Sequence, residues 1–474
     1  MSHPHHPHHP PPVVVGAGPA GVRAARTLVQ HGLRPIVIDE SPASGGQIYR
    51  RQPAGFQRKA QALYGFEAGK ATALHQDFDG IASQLDYRPG SLVWSARQGT
   101  LDVWDIAGNT SGTLDWSHMV IATGATDRVL PVPGWTLPGV YTLGGAQVAL
   151  KYQACAVGRR VVFAGSGPLL YLVAYQYARA GVKVAAIIDN ARLADQAASL
   201  IDMARQPKTL LKGMYYVAWL QAHGVPIVRN ARLTDIAGRE QVQGVSWRSN
   251  GCAEATPATL VDCDAVALGY ALRSETQLAD LLECQFAFDA LNRAYLPVRD
   301  TAGRASTPGV YLAGDGAGIM GADAAELAGE RAALALLSDR GIEVSASRVA
   351  LLEKRLGGLV KWRRGIEAAF PFPTDWAQSA PDDLVVCRCE NITAGNLRAV
   401  ARETGASELN RLKALSRVGM GRCQGRICAA AAAEILADVV RVPVHQVGRI
   451  RAQSPIKPLP MTVRIAPAPE EQAP

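Results

Sequence analysis

At 474 residues, 48% hydrophobic and 19% charged, the chain has the length for two or three domains and ample material for buried cores. Its net charge of +8 is scattered, with no stripe of Lys and Arg interleaved with aromatics, so it suits anionic cofactors or an acidic partner rather than nucleic acid. Neither a long apolar run, nor a basic head with an apolar core, nor a disulfide-type cysteine pattern is present, which argues against membrane insertion and secretion and for the cytoplasm.

Residues 1–12 are mostly His and Pro. His3, His5, His6, His8 and His9 could bind metal, but the interspersed prolines forbid the helix that would align them, so a disordered tail is expected. From residue 13 to about 130 the pattern is strand, glycine turn, helix, strand. Val13-Val14-Val15 runs into Gly16-Ala17-Gly18-Pro19-Ala20-Gly21, and a helix is expected through residue 30. Gly16 allows the sharp turn, Gly18 lets backbone approach a pyrophosphate, and Gly21 lets helix pack on strand. The helix N-terminus offers N–H groups and positive dipole to the phosphates. A second strand ends in Asp39-Glu40, about 20 residues on, where a carboxylate should meet a ribose hydroxyl, with Asp39 in the better register. The turn alone does not separate NAD from FAD.

A second unit, residues 131–269, repeats the pattern. Val161-Val162-Phe163-Ala164 leads into Gly165-Ser166-Gly167-Pro168-Leu169-Leu170, and the next strand ends in Asp189. Leu170 replaces the third glycine. It is expected to push the helix from the strand and narrow the pocket, which puts NAD(P)H binding there in doubt. A vestigial site, or one for another adenine nucleotide such as ATP, is the competing expectation. No Cys-x-x-Cys lies beside either turn, which disfavours a disulfide reductase.

Residues 270–340 return to a strand and glycine turn, Ala313-Gly314-Asp315-Gly316, and residues 341–381 form a connector with Trp362, Arg363, Arg364 and Trp376. Two strand–turn–helix starts and a return segment imply one α/β nucleotide domain with a second inserted in it. Residues 382–439 carry Cys387-Arg388-Cys389 and Cys423-Gln424-Gly425-Arg426-Ile427-Cys428. Four thiolates suit a tetrahedral zinc ion or an iron–sulfur cluster. Zinc pairs usually have two to four residues between them, so Cys-x-Cys, with one, favours the cluster. Gly419, Gly421 and Gly425 would free backbone N–H groups for cluster sulfurs. Residues 440–474 read as an extended or loosely ordered tail.

The first turn, Ala122-Thr123-Gly124 after a strand, and Gly314-Asp315 together resemble the glutathione-reductase-like two-dinucleotide-domain flavoproteins. The resemblance implies FAD at the first turn, with Gly314 and Asp315 at the flavin ribitol and phosphate, and Gly45-Gly46-Gln47 near the isoalloxazine. The cysteine segment resembles the bacterioferritin-associated-ferredoxin module, which implies a [2Fe-2S] cluster on Cys387, Cys389, Cys423 and Cys428. The pairing of the two resembles the α subunits of bacterial hetero-oligomeric amino-acid dehydrogenases, such as opine oxidases and D-hydroxyproline dehydrogenase. So do Gly45-Gly46-Gln47-Ile48-Tyr49-Arg50 and Phe370-Pro371-Phe372-Pro373. That resemblance implies amine oxidation at FAD in a β subunit like D-amino-acid or sarcosine oxidases, an FMN between subunits and, as a further partner, a small ferredoxin-like γ subunit. The alternative is a self-contained NAD(P)H-dependent FAD/[2Fe-2S] reductase. No catalytic acid or base stands out. Tyr49, Arg50 and Arg51 could clamp a carboxylate, or meet flavin phosphate or a partner.

Overall fold

The computed structural model describes residues 10–465, apart from Gln57 and residues 253–256. Most of the His/Pro segment, residues 1–9, and the last nine residues lie outside the described part.

Two five-stranded parallel sheets organise the chain. In the first, the strands run in the order Val310–Leu312, Met119–Ile121, Val13–Val15, Ile36–Asp39, Asp86–Pro89. In the second the order is Ile227–Arg229, Lys183–Asp189, Arg160–Ser166, Ala265–Tyr270, Val140–Thr142. The central strands are short, apolar and buried, as strands covered on both faces must be. The first sheet takes its edge strand, Val310–Leu312, from beyond the second sheet, so the second unit is inserted into the first. The two crossings between the units, Ala125–Asp127 and Leu272–Ser274, pair antiparallel as a two-strand hinge.

Helix Ala322–Asp339 packs across helix Pro19–Gln30. The crossing is close enough that a Cβ at Gly329 would stand 2.0 Å from the Ala20 carbonyl oxygen, so only glycine is tolerated there. The connector is mostly one helix, Ala346–Ala369, that reaches from the first unit to the second, where Gly365 lies against Asp202.

The cysteine module is a hairpin, Val385–Cys387 with Ile392–Thr393, and helices Ala394–Thr404, Leu409–Ser416 and Ala429–Val440. It shares one apolar core with the second unit: Leu397, Leu412 and Ile435 belong to the same buried cluster as Val162, Ile188 and Trp135. The Trp135 indole N–H donates to the Val385 carbonyl at 2.6 Å, and that of Trp376 to Pro131 at 2.9 Å.

The segment after this module is extended but not loose. Arg449 makes two bonds to Asp280 at 2.5 and 2.6 Å, the Ile456 N–H donates to Trp94, and Arg464–Ile465 adds a parallel strand to Thr110–Asp115. Backbone donors and acceptors of the first unit supply its order, which its own Pro-rich sequence does not signal. Among the described residues no helix is long and apolar enough to cross a membrane.

Candidate functional site

One cavity of about 1240 Å³ joins both glycine turns. At the first turn, Gly16 has φ +103° and Gly21 packs so tightly that a Cβ would stand 1.7 Å from the Gly16 carbonyl oxygen. Gly18 caps helix Pro19–Gln30 with no side chain over the free N–H groups. It faces Gly46, whose own Cβ would meet Gly18 Cα at 2.8 Å. The structure thus brings Gly16, Gly18, Pro19, Ala20, Asp39, Glu40, Gly46, Gln47, Ala122, Thr123, Gly124, Gly314 and Asp315 around this end of the cavity, with Gly21 behind them. Thr126 Oγ1, also on the wall, is buried without a partner. A bare helix N-terminus, a cradle without Cβ atoms and an orphaned hydroxyl suit a dinucleotide.

The two carboxylates after the second strand divide their work. Asp39 accepts from the N–H groups of Ala17 at 2.5 Å and Ser41 at 2.7 Å, so it holds the turn itself. Burial raises its pKa, against those two backbone bonds. Glu40 stands exposed at the cavity with Lys457 of the C-terminal segment on it. Glu40, paired with Lys457 at the cavity edge, is the more accessible of the two carboxylates. Asp315 likewise holds its own loop, accepting from Met320 N–H at 2.8 Å and Gly321 N–H at 2.9 Å.

No carboxylate clamp forms from Tyr49, Arg50 and Arg51. Tyr49 is fully buried and donates to Glu67, Arg50 donates to Gln47 Oε1, and Arg51 forks onto Asp79. Sequence reading also passes over Lys151. Its ammonium faces the cavity from the end of helix Leu143–Lys151, 5.9 Å from the Tyr64 ring centre, and burial pushes its pKa down to about 8. Its position at a helix end gives no pattern to find it by.

At the second turn Gly165 has φ +135° and would clash with the Gly269 carbonyl at 1.8 Å if it carried a Cβ. Gly167 is open, and Pro168 starts a helix without a side-chain cap. Leu170 does not narrow the cavity: it is fully buried in the core with Phe163 and Leu143, and Leu169 and Leu172 line the cavity instead. Asp189 is fully buried. It accepts from Tyr171 O–H at 2.7 Å and Ala191 N–H at 2.9 Å, and burial lifts its pKa to about 6. Its carboxylate is therefore spent before a ribose could reach it. Arg229 Nε and Gln196 Nε2, both on the cavity wall, are buried donors without acceptors.

The four cysteines of the C-terminal module are neighbours. Cys428 lies against both Cys387 and Cys423, and Cys389 lies against Cys423. The Cys428 thiol, with backbone N–H groups of Gly419, Glu390 and Cys389, draws Cys387 down to about 6. A similar set draws Cys423 to about 5, while Cys428 goes up. Gly421 leaves no room for a side chain, since a Cβ would stand 2.2 Å from Cys389 Cβ. Among the described residues no three His, Cys, Asp or Glu side chains converge as they would round a single ion. Cys387 and Cys428 are buried and Cys389 is exposed.

The pyridine nucleotide-disulphide oxidoreductase family matches residues 11–329. The chain belongs to that family. The BFD-like [2Fe-2S] binding domain matches residues 385–438, over all four cysteines, which decides between zinc and a cluster. This oxidoreductase is 37% identical to an opine oxidase subunit from Rhizobium meliloti, over 94% of this chain and 85% of the relative. It is 32% identical to hydrogen cyanide synthase subunit HcnB of Pseudomonas protegens, over 95% and 96%. Its fold is similar to that of L-proline dehydrogenase from P. horikoshii, with TM-score 0.69 at 19% identity over 96% of this chain and 78% of that one. The expected fold class holds: an α/β body of two dinucleotide domains plus a small helical [2Fe-2S] module. The body is of the FAD-binding kind and the module of the [2Fe-2S]-binding kind.

Proposed function

We propose that this oxidoreductase is the electron-handling α subunit of a hetero-oligomeric amino- or imino-acid dehydrogenase of the D-hydroxyproline or opine type, working in the cytoplasm. Its partner would be an FAD-containing β subunit that oxidises the amine. An FMN at a subunit interface and a small ferredoxin-like γ subunit belong to the same reading. The observation that carries it is the pairing, in one chain, of a dinucleotide cavity and a four-cysteine module with an Asp189 already spent on Tyr171. Asp189 is committed to Tyr171 and Ala191 rather than to the adenosine ribose of NADH, which fits electron delivery from a partner subunit. The relatives are themselves named as subunits.

In this reading Gly16, Gly18, Gly46, Glu40, Thr123, Gly124, Gly314 and Asp315 hold FAD, which when bound converts between two-electron and one-electron chemistry. Asp39 and Gly21 keep the turn in shape. Cys387, Cys389, Cys423 and Cys428 hold the cluster, with Cys389 at the surface open to a partner. The second turn takes an adenine nucleotide held through its phosphates rather than through a ribose carboxylate. Its capless helix N-terminus at Gly167 and Pro168, with the orphaned donors of Arg229 and Gln196, suits phosphates.

The alternative, a self-contained NAD(P)H reductase, is disfavoured for NADH by Asp189, which is bonded to Tyr171 and Ala191. The test is to isolate the chain with whatever subunits accompany it, record the visible spectrum, and add imino acids and opines anaerobically. The reading expects flavin and iron–sulfur absorbance, a companion flavoprotein, and bleaching by one of these substrates. A lone, colourless chain that binds zinc would refute it.

A further inference from the structure

Between Cys423 and Cys428 the loop turns its middle residues away from the cysteines and onto the first unit. Arg426 Nε donates to Glu275 Oε2 at 2.6 Å, and its Nη1 to the Ile456 carbonyl at 2.6 Å. The Arg426 carbonyl accepts from Arg273 Nη1 at 2.9 Å, and that of Gln424 from Gln277 Nε2 at 2.8 Å. Arg426 and Glu275 are 11% and 10% exposed, so water does little to screen the pair.

Glu275 in turn is bonded to the first-site wall. Its N–H donates to the Gly124 carbonyl at 3.0 Å, and its carbonyl accepts from Thr123 Oγ1 at 2.6 Å. Thr123, Gly124, Glu275 and Arg426 all line the cavity. Burial opposes the charge on Glu275, but Arg426 and Arg273 outweigh it and hold its pKa low, so it is an anion. Burial lowers Arg273 from its usual value, and its guanidinium lies within electrostatic reach of Cys423 and Cys428. Two guanidinium groups and one carboxylate thus sit where the cysteine loop meets the cavity.

Resting on the [2Fe-2S] reading, we propose that Arg273 and the Arg426–Glu275 pair are positioning residues that form a charge junction between the two sites. They fix the cysteine loop against the first site and set the cluster's reduction potential. The physical ground is that one added electron makes a four-thiolate cluster more negative, and nearby fixed charge weights that step. A positive group favours reduction and a negative group opposes it.

The test is an anaerobic, EPR-monitored redox titration of the full protein. Arg273→Met is expected to lower the cluster potential and Glu275→Gln to raise it. Each shift is about tenfold in the reduction equilibrium, about 59 mV for a one-electron couple. Arg273→Lys, which keeps the charge, should stay close to the parent. A merely structural role would move both neutral variants the same way. Unchanged potentials, shifts of the same sign, or loss of the cluster from both neutral variants would overturn the junction. Absence of any cluster signal from the parent protein would instead defeat the [2Fe-2S] reading beneath it.

Discussion

The two glycine turns share a backbone and differ in what their acidic residues are free to do. Both begin with a glycine in positive φ, Gly16 and Gly165, wedged against a neighbouring carbonyl. Both open a helix with an uncapped N-terminus. At the first, Asp39 braces the turn and Glu40 beside it faces the cavity. At the second, Asp189 is buried against Tyr171, and Asn190 follows it where the first turn has a second acid. The glycine fingerprint reports a backbone that can approach phosphates. What differs is that the first turn presents a carboxylate at the cavity, Glu40 beside Lys457, whereas that of the second is buried.

The largest effect should come from crowding the first turn. Gly21→Ala puts a methyl group 1.7 Å from the Gly16 carbonyl oxygen and should empty the purified protein of flavin, read from its absorbance. Gly167→Ala meets nothing within 4 Å, though φ is +113°. It should cost about 1–3 kcal/mol of backbone strain and leave flavin content unchanged. Equal flavin loss from both would erase the distinction between the turns.

Next in size is the pH dependence of Asp189. Its pKa rises on folding from 3.8 to about 6 through burial, so below about 4 both states hold the proton. As pH climbs to about 6 the unfolded chain ionises first, and native stability falls by up to about 3 kcal/mol. Asp189→Asn removes that term. Across this range the Tm difference between variant and parent should move in the variant's favour. A difference flat with pH would show Asp189 to be ionised at no cost.

A smaller effect separates the acids of the first turn. Glu40→Gln should weaken dinucleotide affinity by about tenfold, the worth of one hydrogen bond to a charged group, and leave folding stability unchanged. Asp39→Asn should cost about 1–3 kcal/mol of stability, because the Ala17 or Ser41 N–H loses its acceptor. The opposite split would return the ribose role to Asp39.

What is legible in the sequence is local. Strand, glycine turn and helix at residues 13–30 and 160–179 follow from short-range rules, and the cysteine spacing favours a cluster over zinc, which the family match then decides. What is hidden depends on distant contacts. Glu40 meets Lys457 of a segment that reads as a loose tail, and Arg426 meets Glu275 across the fold. Leu170 is a true departure from the glycine pattern, but its volume goes into the core. The obstacle lies one residue later, at Tyr171, whose bond to Asp189 no glycine pattern encodes.

The most direct measurement is to add NADH, then NADPH, to the anaerobic flavin- and cluster-loaded protein and follow flavin absorbance by stopped flow. An α subunit that receives its electrons from a partner flavoprotein predicts a spectrum almost unchanged over many seconds. Rapid bleaching by either nucleotide would contradict it and make the chain a reductase in its own right.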